Sequence, residues 1–298
     1  RADDPPPSPP ITETEMLTAS MEKLILAPVS FIKESHKSGE MAEVHFLGTG
    51  GSVATRERDN TSLLLSEDDS LVLVDCPGSV IQKIKKLNFD PRRISSILIT
   101  HIHPDHIYGL PSLVHSLMLE ECLIPLYGSP ESIQFSKALL DLFRLREEKI
   151  KTRIRFEVFE QNKAVRLSPS MRVSCVPVPH DSSSLAFHFY FEEKGRELVY
   201  SGDSSPHIPL FQRAGKADCL IHDCSAPSRF FRKYPSLHKM HTHALELGQL
   251  AAQAEVKFLI PCHFFGELDF SVVEIEKEIR ENYTGKLVIP RDFIHIEL

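Results

Sequence analysis

The chain lacks paired cysteines, a long apolar run and an excess of basic residues. No apolar segment approaches the roughly 20 residues that are needed to cross a bilayer. The net charge of −7 argues against a broadly basic nucleic-acid-binding surface, although a local cationic groove is compatible with it. The cysteines show no C-x-x-C spacing, so neither a thiolate metal site nor a disulfide scaffold is indicated. These cysteines are Cys76, Cys122, Cys175, Cys219, Cys224 and Cys262.

These absences predict a soluble protein of a reducing compartment, with the cytoplasm as the expected location. The chain begins with Arg1 rather than methionine, so a processed organellar form is the alternative. Residues 1–10 are proline-rich and polar, which is typical of a solvated tail. An apolar stripe within residues 12–28 favours a short helix, which would either dock on the domain or form an oligomer contact. The predicted division is residues 1–40 for the tail and helix, and 41–298 for the folded domain.

From residue 42 onward, short apolar runs alternate with helical patterns. Three strand candidates come first, at 42–47, 61–65 and 71–74, and turn signals separate them. Later strands are predicted at 96–100, 123–127, within 153–200, at 219–222 and at 257–260; helices are predicted at 80–87, 107–119, 130–143, 206–213, 243–254 and 271–282. Two such passages predict an α/β fold, an αββα sandwich of two mixed β-sheets with helices on both outer faces.

The segment from His101 to His106 contains three histidines and one aspartate directly after an apolar strand. Imidazole and carboxylate are the ligand types that zinc, manganese and iron accept. We expect His101 and His103 to bind one cation, and Asp105 and His106 to bind a second cation beside it. The alternative is a surface loop that happens to be rich in histidine.

The pattern His-x-His-x-Asp-His after an apolar strand resembles the metallo-β-lactamase superfamily, and the resemblance extends from about residue 42 to the C-terminus. Within the superfamily, the chain is most similar to the ribonuclease Z branch. Leu-Gly-Thr-Gly-Gly at 47–51 and Arg-Asp-Asn-Thr-Ser at 58–62 are similar to the opening signature of that branch. Gly-Leu-Pro at 109–111 also fits it better than the glycine pair of glyoxalase II-type thioesterases.

The resemblance implies three further metal ligands, each of which follows a strand-like run. His180 matches the third histidine of the first metal site, Asp203 the carboxylate that bridges both metals, and His263 a ligand of the second metal. Taken singly, His180 could be a surface residue and Asp203 an N-cap for the helix near residue 206. The cofactors expected are two divalent metal ions, zinc first, with manganese or iron as alternatives.

The expected reaction is phosphodiester hydrolysis by a hydroxide that bridges two cations about 3.5–4 Å apart. Asp105 is counted among the catalytic residues as well as the ligands. His241 matches the histidine that protonates the leaving group in the ribonuclease Z branch, and Asp223 stands where that branch carries a glutamate. Because aspartate is one methylene shorter, His222 or His243 could compete for the role of acid.

Only a hairpin fits between His180 and Asp203, so the long arm with which ribonuclease Z enzymes grip tRNA is absent at that place. The glycine loop at 48–51 lacks the Lys-Ser/Thr ending of a nucleotide loop and is expected to be a tight turn beneath the site. A basic stretch at 144–155 could touch a phosphate backbone, but such a charge run is usually a solvated face.

The expected substrate is RNA or a smaller phosphodiester such as a cyclic nucleotide. No membrane partner is expected. The oligomeric state is open at this point, and the resemblance offers a homodimer as one option because the family commonly forms dimers. Two alternatives remain open at this point. The first is a hydrolase of a thioester or lactone, and the second is a non-catalytic, metal-stabilised interaction subunit. The second would be expected to have lost ligands, and none is missing from the sequence.

Overall fold

A computed structural model describes residues 42–67, 70–160 and 163–298 of the chain. The tail and short helix expected in residues 1–40 therefore lie outside the described residues. Among the described helices, none combines the length and the apolar character that a bilayer crossing requires.

The first sheet has seven strands in the order β14-β1-β2-β3-β4-β5-β6. Pairing is antiparallel from β14 to β3 and parallel from β3 to β6, so the sheet is mixed. Its strands are β1 (Glu43–Gly48), β2 (Ser62–Glu67), β3 (Ser70–Val74), β4 (Ile94–Leu98), β5 (Leu123–Gly128), β6 (Arg153–Val158) and β14 (His295–Glu297).

The second sheet also has seven strands, in the order β13-β12-β11-β10-β9-β8-β7. The strands from β10 to β13 are parallel, and β7 to β10 pair antiparallel, so this sheet is mixed as well. Its strands are β7 (Val165–Arg166), β8 (Met171–Pro177), β9 (Leu185–Phe191), β10 (Arg196–Tyr200), β11 (Cys219–Asp223), β12 (Phe258–Cys262) and β13 (Lys286–Leu287).

The helices cover the outer faces of the two sheets. They are α1 (Val80–Lys86), α2 (Pro104–Ile107), α3 (Leu110–Ser116), α4 (Pro130–Leu142), α5 (Ile208–Ala214), α6 (Ser228–Lys233), α7 (Ala244–Gln253) and α8 (Val272–Arg280), with 3-10 turns at Pro91–Arg93 and Pro235–Lys239. Side chains of α1, α3 and α4 pack on the first sheet, and those of α5, α7 and α8 pack on the second.

One apolar cluster lies between each sheet and its helices, and a third lies between the two sheets. Strand β9 shows how the sequence builds this third cluster. Phe187, Phe189 and Phe191 alternate along the strand and enter the cluster between the sheets, whereas Ala186 faces the helices on the other side. Each fully buried phenylalanine contributes about 1.5–3 kcal/mol relative to an exposed one. Helices outside and two stacked sheets inside confirm the predicted αββα sandwich.

The helix after the metal motif differs from its expected bounds. It was expected to begin near Ile107, but its first turn is α2, which begins at Pro104 and contains two of the motif residues. The ring of Pro104 fixes a backbone angle that suits a first helical turn, which is the physical reason for the earlier start. The expected break occurs at Gly109, where a Cβ would lie 1.9 Å from the carbonyl oxygen of Pro77.

Candidate metal centre

The first group of candidate ligands consists of three histidines from two loops. His103 Nδ1 lies 3.0 Å from His101 Nε2 and 3.0 Å from His180 Nε2. The same two Nε2 atoms each lie 3.8 Å from Oδ2 of Asp203, which follows β10. The structure therefore brings His180 and Asp203 to the motif from about eighty and one hundred residues away.

The second group consists of Asp105, His106 and His263, together with the same oxygen of Asp203. His106 Nε2 lies 3.4 Å from Oδ2 of Asp105 and 3.4 Å from Oδ2 of Asp203. His263 Nε2 lies 3.5 Å and 3.0 Å from the same two oxygens. Asp203 Oδ2 thus stands between two sets of ligand atoms.

These spacings suit a pair of metal ions. Ligand atoms at about 2.0–2.1 Å from a tetrahedral ion are separated from one another by about 3.3 Å. The contacts in both groups, from 3.0 to 3.8 Å, bracket that separation. Within the described part of the chain, the buried Nε2 atoms of His106 and His263 and Oδ1 of Asp203 have no hydrogen-bond partner. Buried polar atoms without partners are costly, and bound cations would satisfy them.

Groups around the ligands fix the orientation of their rings. His106 donates from Nδ1 to Oδ2 of Asp75 at 2.8 Å, so its Nε2 atom is directed at the site. The Thr100 hydroxyl donates to the same carboxylate and accepts from Nδ1 of His101 at 3.0 Å. His180 donates from Nδ1 to the carbonyl oxygen of Met240 at 2.7 Å. Three of the histidines are therefore held in the tautomer that a metal ligand needs.

Left-handed backbone conformations occur where the chain turns out of a strand toward the site. Asp75 has φ 62°, Gly202 has φ 58° and His263 has φ 64°. At Gly202 a Cβ would lie 3.1 Å from Cβ of Thr100 and 3.1 Å from the carbonyl oxygen of Leu185, so tight packing as well as the backbone angle favours glycine. Non-glycine residues in this region cost on the order of 1 kcal/mol or more and are typical of functional sites.

The two groups differ in electrostatics. Burial lowers the pKa values of His101 and His180, which keeps these rings neutral at neutral pH. Burial also opposes charge on His263, but the carboxylates of Asp203 and Asp105 overcome it and raise its pKa to about 10. Asp203, with Asp75, likewise raises the pKa of His106 well above its ordinary value, against the effect of burial.

His241 and Asp223 form a close pair beside these ligands. His241 Nδ1 lies 2.8 Å from Oδ2 of Asp223, so the shorter aspartate reaches the histidine. The carboxylate also accepts hydrogen bonds from the Ser225 hydroxyl at 2.6 Å and from the backbone N–H of Ser204 at 3.2 Å. The ring of His241 packs edge-on against His180, with a centroid distance of 4.9 Å.

The two competing histidines lie elsewhere. His222 is fully buried and donates from Nδ1 to the carbonyl oxygen of Asp223, and its ring packs on Phe211. His243 caps α7 by accepting from the backbone N–H of Glu246 at 3.2 Å. Neither ring forms the pairing with the Asp223 carboxylate that His241 has. The alternative reading of Asp203 as a helix cap is wrong, because the N-cap of α5 is His207.

The glycine loop at 48–51 is a turn that packs against the segment carrying His263. Gly51 donates its N–H to the carbonyl oxygen of Phe264 at 2.7 Å, and Phe264 donates back to Thr49 at 3.1 Å. A Cβ on Gly51 would lie 2.9 Å from the ring of Phe265 and 3.4 Å from Cε1 of His263. The loop therefore supports the second ligand group, as expected for a turn beneath the site.

The basic stretch at 144–155 is not a helix face but a loop that leads into β6. Acidic neighbours neutralise most of its charges, which argues against a phosphate-binding role. Its ion pairs are Arg144 with Glu147, Arg146 with Asp141, Lys149 with Glu147, Lys151 with Glu121, and Arg155 with Glu157.

All six cysteines are free thiols, and all but Cys122 are buried. Cys76, Cys224 and Cys262 each adjoin a residue of the site, namely Asp75, Asp223 and His263. Their side chains nevertheless belong to the apolar clusters rather than to the ligand groups. Burial raises the pKa values of all three thiols, so they are protonated and unsuited to bind a metal.

Two parts of the site were missed in the sequence. Asp75 follows the apolar run of β3, the same signal that marks Asp203 and His263, and it could have been found in that way. The segment of α6 and the 3-10 turn, which leads to His241, gave no usable signal because its helices are short. Phe230 and Phe231 of α6 pack with Phe265 in a small separate cluster that supports this segment.

Curated relatives share most of their length with this chain. Ribonuclease Z from Methanosarcina acetivorans is 24% identical over 310 residues, which cover 87% of this chain and 98% of the relative. Ribonuclease Z from Thermococcus kodakarensis is 26% identical over 312 residues, which cover 85% of this chain and 94% of the relative.

Solved structures show the same fold. The metallo-beta-lactamase fold protein YhfI from Bacillus subtilis superposes with a TM-score of 0.71 at 20% identity, covering 87% of this chain and 100% of that chain. The short form of human tRNase Z superposes with a TM-score of 0.68 at 21% identity, covering 85% of this chain and 98% of that chain.

A family model described as anti-Pycsar protein Apyc1 matches residues 42–265, which is most of the chain. This match includes both ligand groups and the pair formed by His241 and Asp223. Together with the ribonuclease Z relatives, this match confirms the prediction that the chain is a ribonuclease Z-like member of the metallo-β-lactamase superfamily. Within that superfamily, the chain belongs to the family of the anti-Pycsar protein Apyc1.

Proposed function

We propose that residues 41–298 form a dinuclear phosphodiesterase of ribonuclease Z type. The general class is a metal-dependent hydrolase of the phosphodiester type. One observation supports the dinuclear proposal above all others: two sets of ligand atoms share Oδ2 of Asp203. In this proposal His101, His103 and His180 would hold the first ion, Asp105, His106 and His263 would hold the second, and Asp203 would contribute to both.

Two divalent ions bound at these positions would supply a hydroxide nucleophile near neutral pH and would draw charge from the phosphoryl oxygens. Nitrogen and carboxylate donors suit zinc, which we propose as the resident ion, and manganese or iron would be accepted by the same donors. Asp105 acts both as a ligand and as a fixed negative charge next to the reacting atoms. Because Asp75, Thr100 and Met240 already orient the rings, little reorganisation is needed when substrate arrives.

The leaving oxygen needs a proton when its bond to phosphorus breaks. His241 pairs with Asp223 through Nδ1, so its Nε2 is the atom that would carry the proton to the leaving oxygen. The Asp223 carboxylate accepts from Nδ1 of His241 and so holds the ring in one orientation. The proton moves from Nε2 of His241 to the leaving alkoxide, and the electron pair of the broken P–O bond stays on that oxygen.

RNA is the first candidate substrate, because the curated relatives are named ribonuclease Z. The segment from His180 to Asp203 holds only the β9–β10 hairpin. A tRNA substrate would therefore find no long protein arm to grip it at this place. A smaller phosphodiester such as a cyclic nucleotide is the second candidate. Both substrates need the same attack on a phosphodiester, and they differ in how much of the substrate lies outside the ligand groups.

The test combines elemental analysis with an assay of two model substrates. Protein purified with zinc is expected to hold about two ions per chain and to hydrolyse bis(p-nitrophenyl) phosphate faster than a simple lactone. Lactone turnover without diester turnover would favour a hydrolase of another bond. Two bound ions with turnover of neither substrate would favour a metal-stabilised interaction subunit.

A further inference from the structure

The segment that carries His241 is unusually basic for this chain. No aspartate or glutamate occurs between Asp223 and Glu246, although the whole chain carries a net charge of −7. Five basic residues of this segment are exposed. Arg229 pairs with Glu274, and we call the other four the basic ridge. The basic ridge consists of Arg232, Lys233, His238 and Lys239.

The basic ridge borders the ligand groups directly. His241 donates its backbone N–H to the carbonyl oxygen of Leu237 at 2.8 Å, within the 3-10 turn that bears two ridge residues. The carbonyl oxygen of Met240, the residue before His241, accepts from the ring of His180. Two large side chains are exposed among the charges, Tyr234 at 42% and Met240 at 37%.

The lysine and arginine charges of the ridge have no carboxylate partner among the described residues, whereas His238 lies close to Glu246. Lys233 lies over the ring of Tyr234 at 5.1 Å, and neither Lys233 nor Lys239 forms an ion pair with residues that the structure describes. Arg232 donates to the hydroxyl of Ser228 rather than to a carboxylate. Two acidic residues packed nearby are already engaged, since Glu274 pairs with Arg229 and Glu278 accepts from Ser228.

We propose that the basic ridge binds the phosphate backbone of a single-stranded RNA on the leaving-group side of the scissile bond. This inference rests on the proposed function, because it assumes that the scissile phosphate lies at the ligand groups. His241 must lie next to the leaving oxygen, so the residues carried on the same loop lie along the part of the substrate that departs. A small diester has its one phosphate at the ligand groups and would leave the ridge without a partner.

The side chains of the ridge match what single strands require. Lysine and arginine neutralise successive phosphates, and an exposed aromatic ring offers a stacking surface for a base of any sequence. Tyr234 stands beside Lys233 in this arrangement. A duplex would hide its bases from such a ring, which is why a single strand is the partner that fits.

The test measures binding and cleavage of a single-stranded oligouridylate of about ten nucleotides, a length within the range that single-strand-binding surfaces cover. A version with phosphorothioate linkages, which keep their charge and resist hydrolysis, gives the Kd by fluorescence anisotropy on metal-loaded protein. The double variant Lys233→Gln/Lys239→Gln is expected to weaken binding about fivefold to tenfold at low salt. The slope of log Kd against log salt concentration is expected to fall by roughly 1.4, for two lost phosphate contacts.

The matched control is Lys149→Gln/Arg155→Gln, which removes the same charge from the basic stretch that is already neutralised. It is expected to leave both the Kd and the salt slope unchanged. Equal weakening in the two double variants would show a general charge effect and overturn the proposal. An unchanged salt slope in the ridge variant would overturn it as well.

Bis(p-nitrophenyl) phosphate separates this inference from the proposed function. In the ridge variant, the loss of kcat/KM on the oligonucleotide is expected to exceed any change on the small diester by about fivefold or more. Protein that hydrolyses the small diester but binds the oligonucleotide without salt dependence would refute the ridge and keep the phosphodiesterase. Protein that binds the oligonucleotide through the ridge but hydrolyses no diester would refute the phosphodiesterase alone.

Discussion

The two ligand groups share one carboxylate but differ in burial and in protonation. The second group is buried, and its His106 and His263 are held toward the protonated form by nearby carboxylates. The first group is more open, since the side chain of His103 is 38% exposed, and burial keeps His101 and His180 neutral. In the proposed centre, an ion would therefore meet neutral rings at His101 and His180, whereas an ion entering the second group would have to displace a proton.

This difference has a cause in the fold. The first group lies on loops that open toward solvent, and backbone or hydroxyl groups orient its rings. The second group lies between the two sheets' strand ends, where Asp75 and Asp223 add buried negative charge around it. If Asp203 bridges two ions as proposed, one carboxylate would join a position that fills readily to one that is more strongly preorganised.

Replacement of Asp203, which both ligand groups share, is expected to have the largest effect and to abolish the difference in metal binding between the two groups. Asp203→Ala takes one ligand from each group, so both ions are expected to be lost and kcat/KM for bis(p-nitrophenyl) phosphate to fall by roughly a thousandfold or more. Elemental analysis and the diesterase assay measure the two effects. Asp141→Ala, which alters an exposed aspartate on α4, is the control and is expected to change neither. Retention of two ions by Asp203→Ala would refute the bridging assignment.

The next largest effect is expected at His241, which contacts both groups without belonging to either. His241→Ala is expected to slow diesters with poor alkoxide leaving groups about 100-fold or more, since a lost general acid typically costs that much. Diesters with p-nitrophenolate as leaving group need no proton and should be affected far less. The measurement is a plot of log kcat against leaving-group pKa. An equal loss across all leaving groups would remove His241 from the role of acid.

A change at Asp75 should weaken the second group more than the first. In Asp75→Asn, an amide replaces an oxygen that accepts from Thr100 or His106, so the ring of His106 loses its fixed orientation. Loss of such a partner typically lowers metal affinity about 10-fold to 100-fold. Competition with a chelator measures the affinity of each ion. Asp141→Asn is the matched control, because this exposed aspartate pairs with Arg146, belongs to neither ligand group and is expected to have little effect.

The smallest expected effect is the pH dependence of metal binding. The pKa of His263 is raised to about 10 in the absence of metal, so metal entry into the second group releases a proton at neutral pH. Affinity there should rise with pH, by up to about tenfold per pH unit for each proton displaced. The first group should show little change above pH 7, because His101 and His180 are already neutral.

Calorimetric titration in buffers of different ionisation enthalpy counts the protons released by each ion. The same shift predicts the stability of the metal-free protein. Because the pKa of His263 is raised in the folded state, the protonated ring contributes its full stabilisation below the ordinary value of 6.5. This contribution is lost as the pH rises through about 10. Urea titrations of metal-free protein should therefore show falling stability over this interval. Proton release of equal size for both ions would contradict the difference between the groups.

The αββα sandwich and the clustering of the candidate metal ligands could be predicted from the sequence, because both depend on local patterns. Apolar runs mark the strands, and polar residues directly after them lie at one edge of parallel strands. His180, Asp203 and His263 could be assigned from this rule and from the resemblance together. The structure places all three near the motif, and it places Asp223 within reach of His241.

Other features depend on tertiary contacts that a linear pattern does not show. The unneutralised charge of the basic ridge is visible only once the acidic residues around it are seen to be engaged elsewhere. The opposite holds for the basic stretch at 144–155, whose charges find partners in the fold. The short strands β13 and β14 were missed because two or three residues are too few to show a period.

The three thiols next to the site have a practical consequence. Cys76, Cys224 and Cys262 lie one residue away from Asp75, Asp223 and His263, yet their sulfur atoms are sealed in the apolar interior. A thiol-modifying dye can reach them only when the strand end detaches from its neighbours. The rate of labelling would therefore report how often this edge opens, and a bound cation that holds the edge closed would lower that rate.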